Sequence, residues 1–173
     1  MTDQPDSLAT QLEKTRLERA LGISASMAEK RVLMTTTELA RLNNILMGST
    51  EDPWREGTIS LTLASGKVET FSMIADPKQS VREKLHRATE QAEAGNVVDA
   101  AVDIYVGLVL THPFNDANRR TAVVAAEYFL RRYGVPLSGV ALHEIGLGDI
   151  RDKAQVQNLR DTVKQMAKFI TKR

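Results

Sequence analysis

Apolar residues recur every three or four positions over several stretches of the chain, which is the pattern of amphipathic helices. Leu39, Leu42 and Leu46 illustrate this spacing in one stretch, and Leu159, Val163 and Met166 illustrate it in another. We expect Ser7 and Ser80 to cap the first and third of these helices. The amphipathic helices are predicted over residues 7–21, 28–47, 81–94 and 156–170.

Two further helical segments are apolar on nearly every side, and they flank a short polar stretch. The first runs from Val97 to Leu110, with Asn96 as its expected cap, and the second runs from about Asn118 to Arg132. A helix that is apolar all round is buried in a folded domain. We therefore expect these two helices to form the core, and we expect the first to end near His112, because Pro113 disfavours helical geometry in the residue before it.

One segment alternates apolar and polar residues, as strands do, and a turn at Ala64 to Lys67 lets the chain return through Val68 to Phe71. We therefore predict a mainly α fold, in one domain, with one β-hairpin. We place that domain at residues 28–173 and interpret residues 1–27 as a tail followed by a mostly polar helical arm. The first strand of the hairpin comprises Thr58, Ile59, Ser60, Leu61, Thr62 and Leu63.

Composition narrows the functional classes. The 173 residues carry a formal net charge of +1, which argues against a general nucleic-acid binder or a protein of acidic membrane surfaces. There is no cysteine, so disulfides, thiolate metal sites and cysteine nucleophiles are excluded. No apolar run is long enough for a transmembrane helix, and the first residues do not resemble a secretion signal. We expect a cytoplasmic protein.

The polar stretch between the two buried helices reads His-Pro-Phe-Asn-Asp-Ala-Asn-Arg-Arg and occupies residues 112–120. A helix beginning near Asn118 presents free backbone N–H groups, which bind anions, and Arg119 and Arg120 add donors that suit phosphate. Asp116 can hold Mg²⁺ beside a polyphosphate, and His112 can accept a proton near neutral pH. Each residue alone has an ordinary structural interpretation as a cap or a solvated charge, but their ordered occurrence favours phosphate transfer.

This stretch resembles the signature motif of the Fic/Doc (Fido) family over nine consecutive positions, and its form is closest to the Doc branch. The hairpin is similar to the flap of Fic domains, and residues 28–170 fit a Fido helical domain. The resemblance implies that His112 is the general base and that Asp116 binds Mg²⁺. It also implies that nucleotide phosphates, as in ATP, are bound by Ala117, Asn118, Arg119 and Arg120.

The resemblance further implies that the chain transfers a phosphate-containing group to a hydroxyl side chain of a target protein held by the flap, in the manner of strand addition. Adenylylating members carry Gly at the position of Arg119, and they often carry Arg at the position of Val123. Members of the Doc branch, whose toxins look like protein kinases that use ATP, carry Lys at the position of Arg119. Both AMP transfer and phosphoryl transfer therefore stay open. A toxin role with an antitoxin partner also stays open. The alternative function is that of a catalytically degenerate protein-binding partner.

Overall fold

Two central helices, α4 (Val97–Thr111) and α5 (Asn118–Arg132), pack together at the centre of the fold. In this computed structural model, residues 8–62, 65–71, 76–139, 141 and 150–171 are described. The predicted mainly α architecture with one hairpin is confirmed. The other elements are α1 (Leu8–Glu29), α2 (Thr36–Met47), β1 (Ile59–Thr62), β2 (Val68–Phe71), α3 (Pro77–Glu93) and α6 (Lys153–Thr171).

Helix α5 lies at the middle of the core because it packs against α1, α2, α3 and α4. Its residues from Thr121 to Leu130 are all buried, and α4 presents a matching buried face that includes Ile104 and Leu108. Helix α6 packs against α4, and its Arg160 donates hydrogen bonds to two α4 carboxylates. The two central helices are therefore fixed over most of their length, so the loop between them has rigid ends.

The first helix is longer and more buried than the sequence suggested. It was expected to end near Leu21 before Gly22, but α1 continues to Glu29. A glycine inside a helix costs only about 1 kcal/mol, and burial of Ala20 and Met27 in the core offsets that cost. The interpretation of residues 1–27 as a tail and arm therefore places a domain boundary inside a continuous helix that packs on α5. Ser7, the expected cap, and the residues before it lie outside the described part.

The predicted start of the second helix at Ala28 is also wrong. Residues 30–35 separate α1 from α2, and Arg31 has a φ of 58°, in the left-handed region that ends a helix. Helix α2 begins after Thr35, whose hydroxyl accepts a hydrogen bond from the Glu38 backbone N–H at 3.2 Å. The predicted end is confirmed, since Gly48 follows α2 with a φ of 62°.

Two predicted caps of later helices differ from the structure. Helix α3 begins at Pro77, four residues before the predicted start, because the Asp76 carboxylate accepts a hydrogen bond from the Gln79 backbone N–H at 3.0 Å. Proline suits the first helical position, where no N–H is needed. Asn96 occupies the N-cap position of α4 but makes no side-chain capping hydrogen bond.

The hairpin pairs Ile59 with Phe71 and Thr62 with Val68, so its antiparallel register follows the predicted turn. Among the described residues, each of its two strands pairs only with the other, which leaves an unpaired backbone edge on both sides. Thr58 lies immediately before β1, whereas Leu63, the last predicted flap residue, lies outside the described residues. No helix in the described ranges is both long and apolar enough to cross a bilayer.

Candidate active site in the loop between the central helices

The loop begins at His112, where α4 ends as predicted. His112 has a φ of 46° and a ψ of 62°, and its backbone N–H donates to the Leu108 carbonyl at 3.0 Å. Pro113 keeps the preceding residue out of the helical region, so the chain leaves the helix axis at this point. A histidine in the left-handed conformation is uncommon and persists only where the surroundings hold it. The candidate base therefore lies on a constrained backbone.

The next three residues pair with a segment that precedes the flap. Asn115 donates its backbone N–H to the Pro53 carbonyl at 2.9 Å, and Arg55 donates its own to the Pro113 carbonyl at 2.9 Å. Between these bonds, Trp54 stacks on Phe114 with ring centroids 4.8 Å apart. The Phe114 side chain is fully buried, so it points into the core. Trp54 therefore packs on the loop between α4 and α5.

Asn118 closes the loop from its far end. Its side-chain oxygen accepts a hydrogen bond from the Phe114 backbone N–H at 2.9 Å, and its side-chain nitrogen donates to the Phe114 carbonyl at 3.0 Å. The residue is 4% exposed. Both functional ends of this amide are thus used to hold the loop, so the group of Asn118 best suited to bind phosphate is its backbone N–H.

Helix α5 starts with its N–H groups unopposed by a side-chain cap. Ala117 occupies the N-cap position with a φ of 57°, and the Asp116 carboxylate accepts the Ala117 N–H at 2.6 Å. The helical hydrogen-bond ladder begins with the Thr121 N–H bonded to the Ala117 carbonyl. The N–H groups of residues 118–120 therefore have no intrahelical partner, which is the arrangement that binds anions.

A side chain that the sequence analysis missed, Asn43 of α2, supports this helix start. Its side-chain nitrogen donates to the Asp116 carbonyl at 3.0 Å and to the Thr121 hydroxyl at 2.9 Å, and it is 1% exposed. The Thr121 hydroxyl in turn donates to the Ala117 carbonyl at 2.7 Å. An amide on the otherwise apolar face of a helix was the one sequence signal for this role.

Arg55 is the second side chain that the sequence analysis missed. The residue is 5% exposed, and its guanidinium donates to the carbonyls of His112 at 2.6 Å, Thr111 at 3.0 Å and Gly57 at 2.6 Å. The first two carbonyls belong to the end of α4, where backbone oxygens have no helical partner. Gly57 is the residue before the flap. One buried cation therefore joins the loop between α4 and α5 to the base of the hairpin.

The surroundings of the half-buried His112 imidazole favour its neutral form. Burial lowers its pKa, a hydrogen bond to the Val109 backbone raises it, and the charges of Arg55 and Arg119 lower it further. The carboxylate of Glu69, on flap strand β2, acts in the opposite direction, but the pKa stays below the usual 6.5. A neutral imidazole at pH 7 can accept a proton from a hydroxyl group.

The charged residues around the helix start are open to solvent. Asp116 and Arg119 are exposed and Arg120 is half-buried. The Arg119 guanidinium lies 3.5 Å from the Tyr105 hydroxyl of α4. On flap strand β2, the Glu69 carboxylate forms an ion pair with Arg151 at 2.8 Å. The structure thus brings the sequence-predicted loop residues to one end of α5.

The donor set around Asp116 is small. Across the described ranges, no group of three or more His, Asp or Glu side chains is placed to hold a metal ion. Oδ1 of Asp116 is engaged by the Ala117 N–H, so one exposed carboxylate oxygen is the main protein ligand available. That fits a Mg²⁺ ion that takes its remaining ligands from nucleotide phosphates and water, and it does not fit a metal held by the protein alone.

Comparisons with known proteins agree with this architecture. A Fic-domain-containing signaling protein from Bacteroides thetaiotaomicron VPI-5482 superposes with a TM-score of 0.69 at 17% identity, covering 97% of this chain and 74% of that one. A Fic family protein from Desulfovibrio desulfuricans G20 gives a TM-score of 0.55 at 15% identity, covering 95% and 61%. At these identities the two structures are evidence for the fold alone.

Similarity in sequence extends to a uridine 5'-monophosphate transferase of Xanthomonas campestris pv. campestris (strain 8004), which is 26% identical over 145 residues. The alignment covers 76% of this chain but only 26% of that relative, so the chain corresponds to about a quarter of its length. The family model described as Fic/DOC matches residues 33–130, which include the hairpin, α4, the loop after it and α5 as far as Leu130. This protein therefore belongs to the Fic/DOC family.

Proposed function

We propose that this chain is a nucleotidyl transferase that moves a nucleoside monophosphate from a nucleoside triphosphate to a hydroxyl side chain of a target protein. One observation carries the proposal: a neutral imidazole at His112 and the open N-terminus of α5 lie on the same short loop. A base for a hydroxyl and a site for phosphate are the two parts that such a transfer requires. The name of the Xanthomonas relative supports the same class of reaction.

In the proposed reaction, Nε2 of His112 takes the proton of the target hydroxyl as its oxygen attacks the α-phosphorus, because Nδ1 is buried. A phosphoester bond to the target forms, the bond between the α- and β-phosphates breaks, and pyrophosphate leaves with the bonding electrons. The N–H groups of Asn118, Arg119 and Arg120 bind the phosphate oxygens, and Arg120 adds its guanidinium. Asn118 acts mainly through its hold on Phe114, which keeps the loop in place.

Asp116 is the proposed ligand for Mg²⁺, which when bound would neutralise phosphate charge. The carboxylate is exposed, and Asn43 fixes the backbone carbonyl of the same residue. Asp116→Asn is expected to weaken Mg²⁺-dependent nucleotide binding, measured by titration calorimetry. Asp161→Asn, at an exposed position on α6, is the matched control.

The flap is the proposed docking site for the target backbone. Strand β1 pairs with β2 on one side only, so a target strand can add to the open edge. Thr58, Ser60 and Thr62 are exposed there. The base of the flap is tied to the loop that carries the proposed base, because the Arg55 guanidinium donates to both the Gly57 and the His112 carbonyls.

The identity of the transferred group is decided around Arg119 and Val123. Val123 is 4% exposed in the core, so this chain has no cation at the position where adenylylating members often carry Arg. Arg119 is exposed, and its guanidinium contacts Tyr105. These features weaken the case for ATP bound as in adenylylating members, and they leave UMP transfer, AMP transfer and phosphoryl transfer as the outcomes of one labelling experiment.

The experiment incubates the protein and Mg²⁺ with a bacterial lysate and one of three donors: α-³²P-UTP, α-³²P-ATP or γ-³²P-ATP. His112→Ala tests the base, and His86→Ala, at a solvent-exposed histidine on α3, is its matched control. A labelled protein band that appears with either α label and disappears in His112→Ala supports nucleotidyl transfer and identifies His112 as the base. A band with the γ label alone contradicts nucleotidyl transfer and indicates a kinase.

The second candidate function is a catalytically degenerate protein-binding partner, and the same two residues favour it. If Arg119 obstructs phosphate and Val123 supplies no donor, the fold can still hold a target strand at the flap. This function predicts no labelled band with any donor and no Mg²⁺-dependent nucleotide binding, together with a stable complex that requires the β1 edge.

A further inference from the structure

We infer that Arg55 is a positioning residue that sets where His112 stands relative to the flap, by binding backbone carbonyls on both sides of the site. The inference rests on the proposed function, because it assigns Arg55 a part in proton removal from the target hydroxyl. Arg55 lies outside the signature loop and 57 residues before His112. It touches neither phosphate nor target in this scheme, so it acts through the backbone of other residues.

The contacts of Arg55 converge on the turn that carries the base. Nε donates to the His112 carbonyl at 2.6 Å and Nη2 donates to the Thr111 carbonyl at 3.0 Å. The backbone N–H of Arg55 donates to the Pro113 carbonyl at 2.9 Å. Three successive carbonyls, at the end of α4 and just after it, are thus bound by one residue. Rotation of this turn would break all three bonds together.

The other end of the same guanidinium reaches the flap. Nη1 donates to the Gly57 carbonyl at 2.6 Å, and β1 starts two residues later. A planar guanidinium holds its donors in fixed relative directions, unlike an ammonium group on a flexible stem. The base and the start of the target-docking strand are therefore held at a set separation by one rigid group. This separation determines whether a hydroxyl docked on the flap meets the imidazole.

A charge buried to this degree is kept only where its donors are matched. The carbonyls at a helix C-terminus lack helical partners and carry the negative end of the helix dipole, so a cation is favoured there. One of these carbonyls belongs to His112, whose left-handed backbone conformation needs support from its surroundings. These observations explain why an arginine occupies this position. They also predict that replacing Arg55 changes the backbone conformation of His112.

The chain offers a matched control for a purely structural role. Arg16 of α1 also binds the end of a helix, donating from Nη1 to the Met47 carbonyl of α2 at 3.3 Å. Replacing it with Lys removes the same kind of contact away from the loop. His86 and His143 give internal references for the His112 ring signals in the same NMR spectrum, once a His112→Gln variant has assigned them.

The experiment compares Arg55→Lys with Arg16→Lys in the full chain, measuring transfer kinetics and imidazole ring resonances. Lys keeps the charge but cannot span three carbonyls. For Arg55→Lys we expect a fall in kcat of about 100-fold, the size of effect typical of a 1 Å misplacement, with the nucleotide KM unchanged. We also expect shifted His112 ring signals and unmoved His86 signals. Arg16→Lys should change neither kinetics nor His112 signals.

The inference is overturned if Arg55→Lys keeps the parental His112 signals, or if Arg16→Lys shifts them equally. Arg55→Gln replaces Arg55→Lys if the latter does not fold, and failure of both to fold also overturns it, since Arg55 would then hold the whole fold. A parent chain without transfer activity refutes the proposed function alone, because the ring signals still decide whether Arg55 positions His112.

Discussion

Asn43→Ala tests whether a side chain of α2 holds the active-site loop in place. The substitution removes two hydrogen bonds, a partly buried one to the Asp116 carbonyl at 3.0 Å and a buried one to the Thr121 hydroxyl at 2.9 Å. It leaves the helix α2 intact, since Ala is the best helix former. The change therefore acts on the start of α5 and on little else.

The magnitude follows from those two bonds. Each contributes about 0.5–1.5 kcal/mol net, so their loss should lower the free energy of unfolding by about 1–3 kcal/mol. For a chain of this size, each 1 kcal/mol lowers Tm by about 2–4 °C. Asn44→Ala is the matched control, because Asn44 is the next residue on the same helix and is only partly buried.

The assay is urea unfolding followed by circular dichroism, combined with titration of Mg²⁺ and nucleotide. We expect Asn43→Ala to lower both stability and nucleotide affinity, because the Asp116 backbone loses its support. Asn44→Ala should leave both near the parental values. If Asn43→Ala unfolds within about 0.5 kcal/mol of the parent, as surface substitutions do, the argument that this amide holds the loop is refuted.

Two further predictions concern the base and the loop. The pKa of His112 lies below 6.5, so the transfer rate should be constant above pH 6.5 and should fall as the pH drops through the pKa of the folded protein. The stability that neutral His112 contributes is fully present above pH 6.5, and it should decrease over the same range as the pH falls. A rate profile with its inflection above 6.5 would contradict this. Trp54→Ala removes the ring stacked on Phe114 and should cost about 3–5 kcal/mol in calorimetry, whereas a loss within about 0.5 kcal/mol would show that the stack does not support the loop.

The central helices and the hairpin could be predicted from the sequence because the patterns that specify them are local. The apolar run from Val97, the proline after His112 and the polar loop gave α4, its end and the start of α5 with little error. The alternation around Ser60 gave the hairpin and its register. Helix periodicity, the effect of proline on the preceding residue and strand alternation all act within a few positions of the chain, so one sequence displays them.

The errors arose where local signals compete with packing. Gly22 reads as a helix end, yet α1 continues because Ala20, Ser24 and Met27 bury against the core, with the Ser24 hydroxyl bonded to the Val124 carbonyl at 3.2 Å. Ser80 reads as a cap, yet Asp76 with the following proline starts α3 earlier. Burial free energy is set by distant residues, so it can outweigh a local preference of about 1 kcal/mol.

The sequence by itself determined which residues form the loop and which chemical groups it carries. Only the tertiary structure showed what holds those groups in position. Asn43 contacts Asp116 across 73 residues, and Arg55 contacts His112 across 57. The sequence named Asn118 as a phosphate-binding residue, and the structure shows that its side-chain amide bonds to the Phe114 backbone. Such partners are chosen by how α2, α4 and α5 pack, because a buried polar group bonds to whichever backbone group the fold brings within about 3 Å.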